Sequence, residues 1–198
     1  MSTIVVVRKG QQACIVADSL TTFGDTRQPA HYDAVSDKIL RQGESLIGLV
    51  GSAAHQMVLQ SAFHHLDHPD LNGREAIFET FRQLHPVLKD VYFLNPKDGE
   101  DDPYESSQVD ALILNRGGIY GVYALREVFE YTRFWAIGSG ANFALGAMHA
   151  LYDQMDDPLA IARAAVAAAA EFDTGTALPL SEYTLVIQAG STPKTVLV

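Results

Sequence analysis

Apolar residues along this chain gather in short unbroken runs rather than in alternation. Ile4-Val5-Val6-Val7, Leu46-Ile47-Gly48-Leu49-Val50, Ala111-Leu112-Ile113-Leu114 and Leu185-Val186-Ile187 have strand length and offer no polar face. Strands of that kind need both faces covered. The first run pairs with residues 13–17 across the turn Lys9-Gly10-Gln11, a hairpin signal. Further strands are expected at 34–41, 109–114, 119–124, 128–131, 134–137 and 182–188, with a tail strand at 195–198. Asn115-Arg116-Gly117-Gly118 joins two of them as a tight turn.

Between these runs the period becomes helical. One helix is expected from Ala53, capped by Ser52, with Leu59, Phe63 and Leu66 on its apolar side. A second begins near Asn72-Gly73 and carries Ile77, Phe81, Leu84, Leu88 and Val91; Pro86 should kink it or end it early. A third follows Gly138-Ser139-Gly140. A fourth, alanine-rich and covering 159–170, starts at Asp157-Pro158, with Asp as cap and Pro at the first helical position. The strands are joined mostly by hairpins, which makes the sheets antiparallel. Two such sheets face to face, each covered outside by a helix pair, give an α+β fold: a four-layer αββα sandwich. No repeat or second domain interrupts the pattern, so residues 1–198 read as one domain.

Composition narrows the partners. Fourteen Lys and Arg against 24 Asp and Glu leave a net charge of −10, which gives no electrostatic reason to seek nucleic acid or an anionic membrane. No stretch approaches membrane-spanning length, and the apolar run near the N-terminus is too short for a signal peptide. A soluble cytoplasmic protein is expected. The single cysteine, Cys14, sits inside an apolar strand and reads as a small buried hydrophobe. Residues 95–107 form a loop with two prolines, a glycine and a run of carboxylates. It is either a solvated connection or a loop facing substrate or partner.

The candidate chemistry lies at the ends of the first hairpin. Ser2 follows Met1, and Asp18 closes the second strand sixteen residues later. Once Met1 is removed, Ser2 carries a nucleophile and a base together, because an α-amine has a pKa of about 8 against about 10.4 for lysine. A nearby ammonium depresses that amine further, and a carboxylate must hold the ammonium in place. Lys38 and Asp18 are the candidates. Gly138-Ser139-Gly140 lacks the rest of a dinucleotide fingerprint. His64, His65 and His68 beside Asp67 read as solvated residues, so neither a cofactor nor a metal is expected.

These residues carry a resemblance. The opening Ser-Thr-Ile-Val-Val-Val-Arg-Lys-Gly, Ala17-Asp18, Gly24-Asp25-Thr26, Lys38-Ile39, Gly48-Leu49-Val50-Gly51-Ser52-Ala53-Ala54 and Ala136-Ile137-Gly138-Ser139-Gly140 resemble the proteasome β-subunit superfamily. The likeness is nearest to HslV-type N-terminal-nucleophile proteases and their betaproteobacterial offshoot. It implies the N-terminal-nucleophile hydrolase fold and peptide-bond hydrolysis inside a double-ring homo-oligomer of six or seven subunits per ring. It also implies peptide or unfolded-protein substrates and a ring ATPase unfoldase as partner. Ser2 falls on the nucleophile, Asp18 and Lys38 on the core aspartate and lysine, and Gly51 on the oxyanion donor. Ser139 falls on the serine near the amine, and Glu171 with Thr174 on a supporting Asp-x-x-Ser-Gly segment. Thr22, Gly51 and Ala53 fall on substrate-binding positions. The chain departs from the family in having serine for the usual threonine and Glu171 for an aspartate. A chain that kept Met1 would be a silent ring-forming scaffold.

Overall fold

A computed structural model describes residues 2–97 and 99–188; Met1 and the expected tail strand at 195–198 lie outside the described residues. The chain opens with the hairpin β1 (Thr3–Lys9) and β2 (Gln12–Asp18). A small hairpin follows, β3 (Thr21–Phe23) and β4 (Thr26–Gln28). Next come β5 (Ile39–Gln42), β6 (Ser45–Val50), α1 (Ala54–Ala62) and α2 (Arg74–Asp90). The second half runs β7 (Asp110–Asn115), β8 (Gly118–Val122), β9 (Val128–Tyr131), β10 (Phe134–Gly138), α3 (Ala141–Tyr152), α4 (Pro158–Phe172) and β11 (Leu180–Val186).

The strands form one sheet in the order β10-β1-β2-β11 and a second in the order β5-β6-β7-β8-β9. Every pairing within them is antiparallel. Period-two geometry then sorts the side chains. In β1 and β2, Ile4, Val6, Ile15 and Ala17 pack against Leu46, Leu112, Leu114 and Ile119 of the second sheet. Their neighbours Val5, Val7, Cys14 and Val16 pack against Ala144, Met148, Ala162, Ala165 and Val166 of α3 and α4. Ile47, Leu49 and Ile113 turn the other way, onto Leu59, Ile77, Phe81 and Leu84 of α1 and α2. Three apolar layers between four structural layers leave the central strands no polar face, which is why their sequences do not alternate.

The sheets approach closely at β6. A Cβ on Gly48 would lie 2.7 Å from Ile4 Cγ2. At the edge where β9 passes to β10, Tyr131 stacks on Trp135 with ring centroids 5.0 Å apart. The Trp135 indole N–H donates to the Tyr123 hydroxyl at 2.7 Å, and that hydroxyl lies 2.7 Å from the Tyr131 hydroxyl. The edges of the two sheets are tied together there.

Several elements differ from the sequence reading. The β3–β4 hairpin is additional; its polar composition gave only turn signals. Residues 34–38 are not strand, because Asp33 and Asp37 accept from the backbone N–H groups of Val35 and Ile39, both at 2.9 Å. Such side-chain turns compete with a ladder. Helix α2 runs through Pro86 to Asp90; the buried residues Leu84 and Leu88 on either side hold both halves to the sheet, and packing outweighs the lost hydrogen bond. Val91 falls just past the helix and is exposed. Helix α1 starts one residue later than expected, with Ala53 rather than Ser52 in the cap position, although the Ser52 hydroxyl still accepts from the Ala54 N–H at 3.3 Å. The last strand starts and ends two residues earlier than expected.

Cys14 is buried, its thiol donates to the Pro158 carbonyl at 3.3 Å, and burial pushes it up to about 12. The acidic loop is exposed from Gly99 to Glu105, then becomes core: Ser106 and Ser107 are buried, their N–H groups bonded to Pro96 and Ala124 carbonyls. Glu105 pairs with His85 and Lys89 of α2. Among the described residues no helix is long and apolar enough to cross a membrane.

Gly48→Ala tests the sheet spacing. Its methyl forces Ile4 to move and is expected to cost about 1–3 kcal/mol, read as a lower denaturation midpoint at unchanged m-value.

Candidate active site

Asp18 ends β2 with no solvent exposure. A buried carboxylate is tolerated only with its lone pairs engaged, and here four donors reach it. Oδ1 accepts from the Thr3 N–H at 2.9 Å and from the Lys38 ammonium at 2.7 Å. Oδ2 accepts from the N–H groups of Leu20 and Ala177, at 3.0 and 3.2 Å. One oxygen therefore joins the lysine to the peptide group immediately after Ser2. The ammonium also donates to the Leu20 carbonyl at 2.7 Å. Burial holds Lys38 below the usual lysine range, opposed by the attraction of Asp18 and, more weakly, Asp173.

Ser2 is itself buried and lies where three strands converge. Gly138 ends β10 with φ at +99°, and a Cβ there would lie 2.0 Å from the Ser2 carbonyl oxygen and 3.3 Å from Val50 of β6. Only glycine fits that space and that backbone. Ser139 follows, its hydroxyl donating to Asp173 at 2.7 Å and lying 3.4 Å from the Ser2 carbonyl. Gly51, with φ at +122°, follows Val50. Gly51, Ser52 and Ala53 are consecutive exposed positions leading into α1.

The structure thus brings Ser2, Asp18, Lys38 and Ser139 together and places Gly51 one residue from a shared neighbour. It does not bring Glu171 or Thr174: both are exposed at the end of α4 and just beyond. Asp173 and Thr176 stand in their place. Thr176 donates to the Asp173 carboxylate at 2.6 Å, and its oxygen lies 2.6 Å from the buried Thr3 hydroxyl. With the Thr176 proton directed to Asp173, the Thr3 hydroxyl is left as the donor to Thr176. The sequence held the signal: Asp173 to Thr176 keeps the Asp-x-x-hydroxyl spacing without substituting the aspartate.

Thr22 lies in β3 opposite Arg27. The two-residue turn Gly24-Asp25 makes Phe23–Thr26 the hydrogen-bonded pair, so Thr22–Arg27 is a non-bonded one. The Thr22 N–H and C=O therefore point to the open side of β3. His55, in the first turn of α1, has a buried Nδ1 with no hydrogen-bond partner. It packs so near Gly51 that a Cβ there would lie 2.9 Å away. Burial holds its pKa below the usual histidine value, against the pull of Asp110. Among the described residues no group of three or more His, Cys, Asp or Glu is placed to hold a metal.

Chemically, the cluster is a buried carboxylate that fixes a partly desolvated ammonium beside the first residues of the chain, with hydroxyls and a strained glycine turn around them. No protein-family model matches the sequence. The BPH of Thiobacillus denitrificans is similar in structure at TM-score 0.88 and 40% identity, covering 94% of this chain and 99% of that one. The same protein in complex with epoxomicin gives 0.87 and 39% over the same shares. The ATP-dependent protease subunit HslV of Caldanaerobacter subterraneus subsp. tengcongensis is 29% identical over 170 residues, 83% of this chain and 87% of that protein.

Two outcomes follow from the site's electrostatics. Asp18→Asn strands the Lys38 ammonium and should cost about 3 kcal/mol of stability, measured by chemical denaturation. His55 binds a proton in the unfolded chain near pH 6.5 but resists it when folded, so it contributes stability that is lost as pH falls below that value. His55→Phe should flatten this part of the stability–pH curve.

Proposed function

The chain belongs to the HslV-type and BPH family of proteasome β-subunit-like proteins, and from that membership we propose that it is a self-compartmentalising peptidase with Ser2 as nucleophile. The observation that carries the reading is the single Asp18 oxygen shared between Lys38 and the Thr3 N–H. Hydrolysis requires that the Met1–Ser2 bond first be cut. The freed α-amine then takes the proton from Ser2 Oγ as that oxygen attacks a peptide carbonyl. Lys38 keeps the amine neutral by its charge, and Asp18 keeps Lys38 there. The Gly51 N–H holds the developing oxyanion, a contribution of about 3 kcal/mol in comparable hydrolases. The amine returns its proton to the leaving nitrogen, and water releases the acyl group from Oγ.

The remaining parts are supportive. Ser139 and Asp173 form a polar group beside Ser2, with Thr176 linking it to Thr3. The outward-facing backbone of Thr22 suits addition of a substrate strand, and the exposed positions Gly51 and Ala53 are assigned to its binding as well. Residues 1–198 act as one domain. The working form is a cytoplasmic double ring of six or seven subunits per ring that degrades peptides or unfolded proteins fed by a ring ATPase.

Intact mass gives the first test: protein from its native host should begin at Ser2, and a retained Met1 leaves only a ring-forming scaffold. Processed protein should form an adduct with a peptide epoxyketone, the inhibitor class of the epoxomicin that the Thiobacillus relative binds. Ser2→Ala should lose about 10³-fold or more in kcat/KM, and Ser2→Thr should stay within about tenfold.

A further inference from the structure

Lys38 does not hold its own position. Asp37 and the backbone of Lys38 are fastened to three separate elements. The Asp37 carbonyl accepts from Gln56 Nε2 of α1 at 2.8 Å, and the Lys38 carbonyl accepts from the Leu49 N–H of β6 at 3.3 Å. The Asp37 carboxylate divides its two oxygens. Oδ1 accepts from the Ile39 N–H at 2.9 Å, and Oδ2 accepts from the Tyr183 hydroxyl. Tyr183 belongs to β11, where it pairs with Ile15 and packs into the layer between the sheets. Its hydroxyl therefore crosses from the first sheet to the segment that enters the second. Asp37 holds that hydroxyl above the usual phenol range.

We infer that Tyr183 and Asp37 are positioning residues for Lys38, setting how far the ammonium stands from the Ser2 amine. This rests on the N-terminal-nucleophile reading above. Asp37 is the carboxylate nearest in sequence to Lys38. The charges that act on the ammonium are those of Asp18 and Asp173, so Asp37 acts on it through the backbone that its bonds to Ile39 and Tyr183 hold in place. Removing the Tyr183 hydroxyl frees one Asp37 oxygen and unfastens the first sheet from the lysine segment. The lysine segment is then no longer held to β11, and the ammonium stands further from Ser2. Loss of a nearby positive charge raises the amine's pKa, so the acidic limb of the rate profile moves to higher pH.

The test is kcat/KM against pH on a fluorogenic peptide, using processed full-length protein. Tyr183→Phe should move the acidic limb up by about half a pH unit and lower kcat/KM at pH 7 about tenfold, with a smaller loss on the alkaline plateau. Asp37→Asn offers one carbonyl oxygen in place of two and should show the same shift, which keeps the test open if Tyr183→Phe folds poorly. The double variant should be no worse than the poorer single one, because both act through one contact. A limb that stays in place in a folded variant, or losses that multiply in the double variant, overturns the assignment. Ser2→Ala run alongside separates the two readings. If Ser2→Ala remains active, the nucleophile assignment fails. If it is inactive while the Tyr183→Phe limb does not move, only the positioning role fails.

Discussion

The buried carboxylate of Asp18 is the constraint on which the site depends. A carboxylate withdrawn from water costs several kcal/mol unless its lone pairs are met, and the four donors that meet it come from distant parts of the chain. Thr3 belongs to the first strand, Leu20 to the turn after the second, Lys38 to the entry into the second sheet, and Ala177 to the segment after α4. Satisfying one side chain therefore fixes the relative positions of four segments. The chemistry proposed for Ser2 uses an arrangement that the fold already requires for its own electrostatics.

The sandwich supplies the rigidity that this arrangement needs. The hairpin carrying Ser2 and Asp18 is covered by alanine-rich helices on one side and by the second sheet on the other. Small residues set both spacings: Ala162, Ala165 and Ala169 on the helix side, and Gly48 where the sheets meet. Glycines return where the backbone itself must approach the site. Gly138 leaves room for the Ser2 carbonyl, and Gly140 leaves room for the Thr3 hydroxyl, 2.3 Å from where its Cβ would stand.

Much of this is legible in the sequence alone. Unbroken apolar runs with hairpin connections specify antiparallel sheets buried on both faces, and the four-layer arrangement follows from them. Hydroxyl and carboxylate pair from strand ends because a hairpin returns its tips to one place, whereas Lys38 lies on neither tip and is placed by the family resemblance. Polar segments are less legible. The β3–β4 hairpin has no apolar pattern to show itself, and residues 34–38 look like a strand until the carboxylates of Asp33 and Asp37 are seen to bond their own backbone. Glu171 and Asp173 lie two residues apart at the end of α4, and a segment resemblance does not tell which of the two faces the site. The course of the chain after α4 turns Asp173 inward, in keeping with its Asp-x-x-hydroxyl spacing to Thr176.

Trp135 is the single tryptophan of the chain, and it sits where the edges of the two sheets are tied together. Its ring lies against Tyr131 and its N–H on Tyr123, while Gly138, three residues further along the same strand, touches the Ser2 carbonyl. The protein therefore carries an intrinsic fluorophore at the seam of its sandwich. Emission at that one position reports separation of the sheets during unfolding without any label. Because its strand ends beside Ser2, the same signal is coupled to whatever displaces that strand.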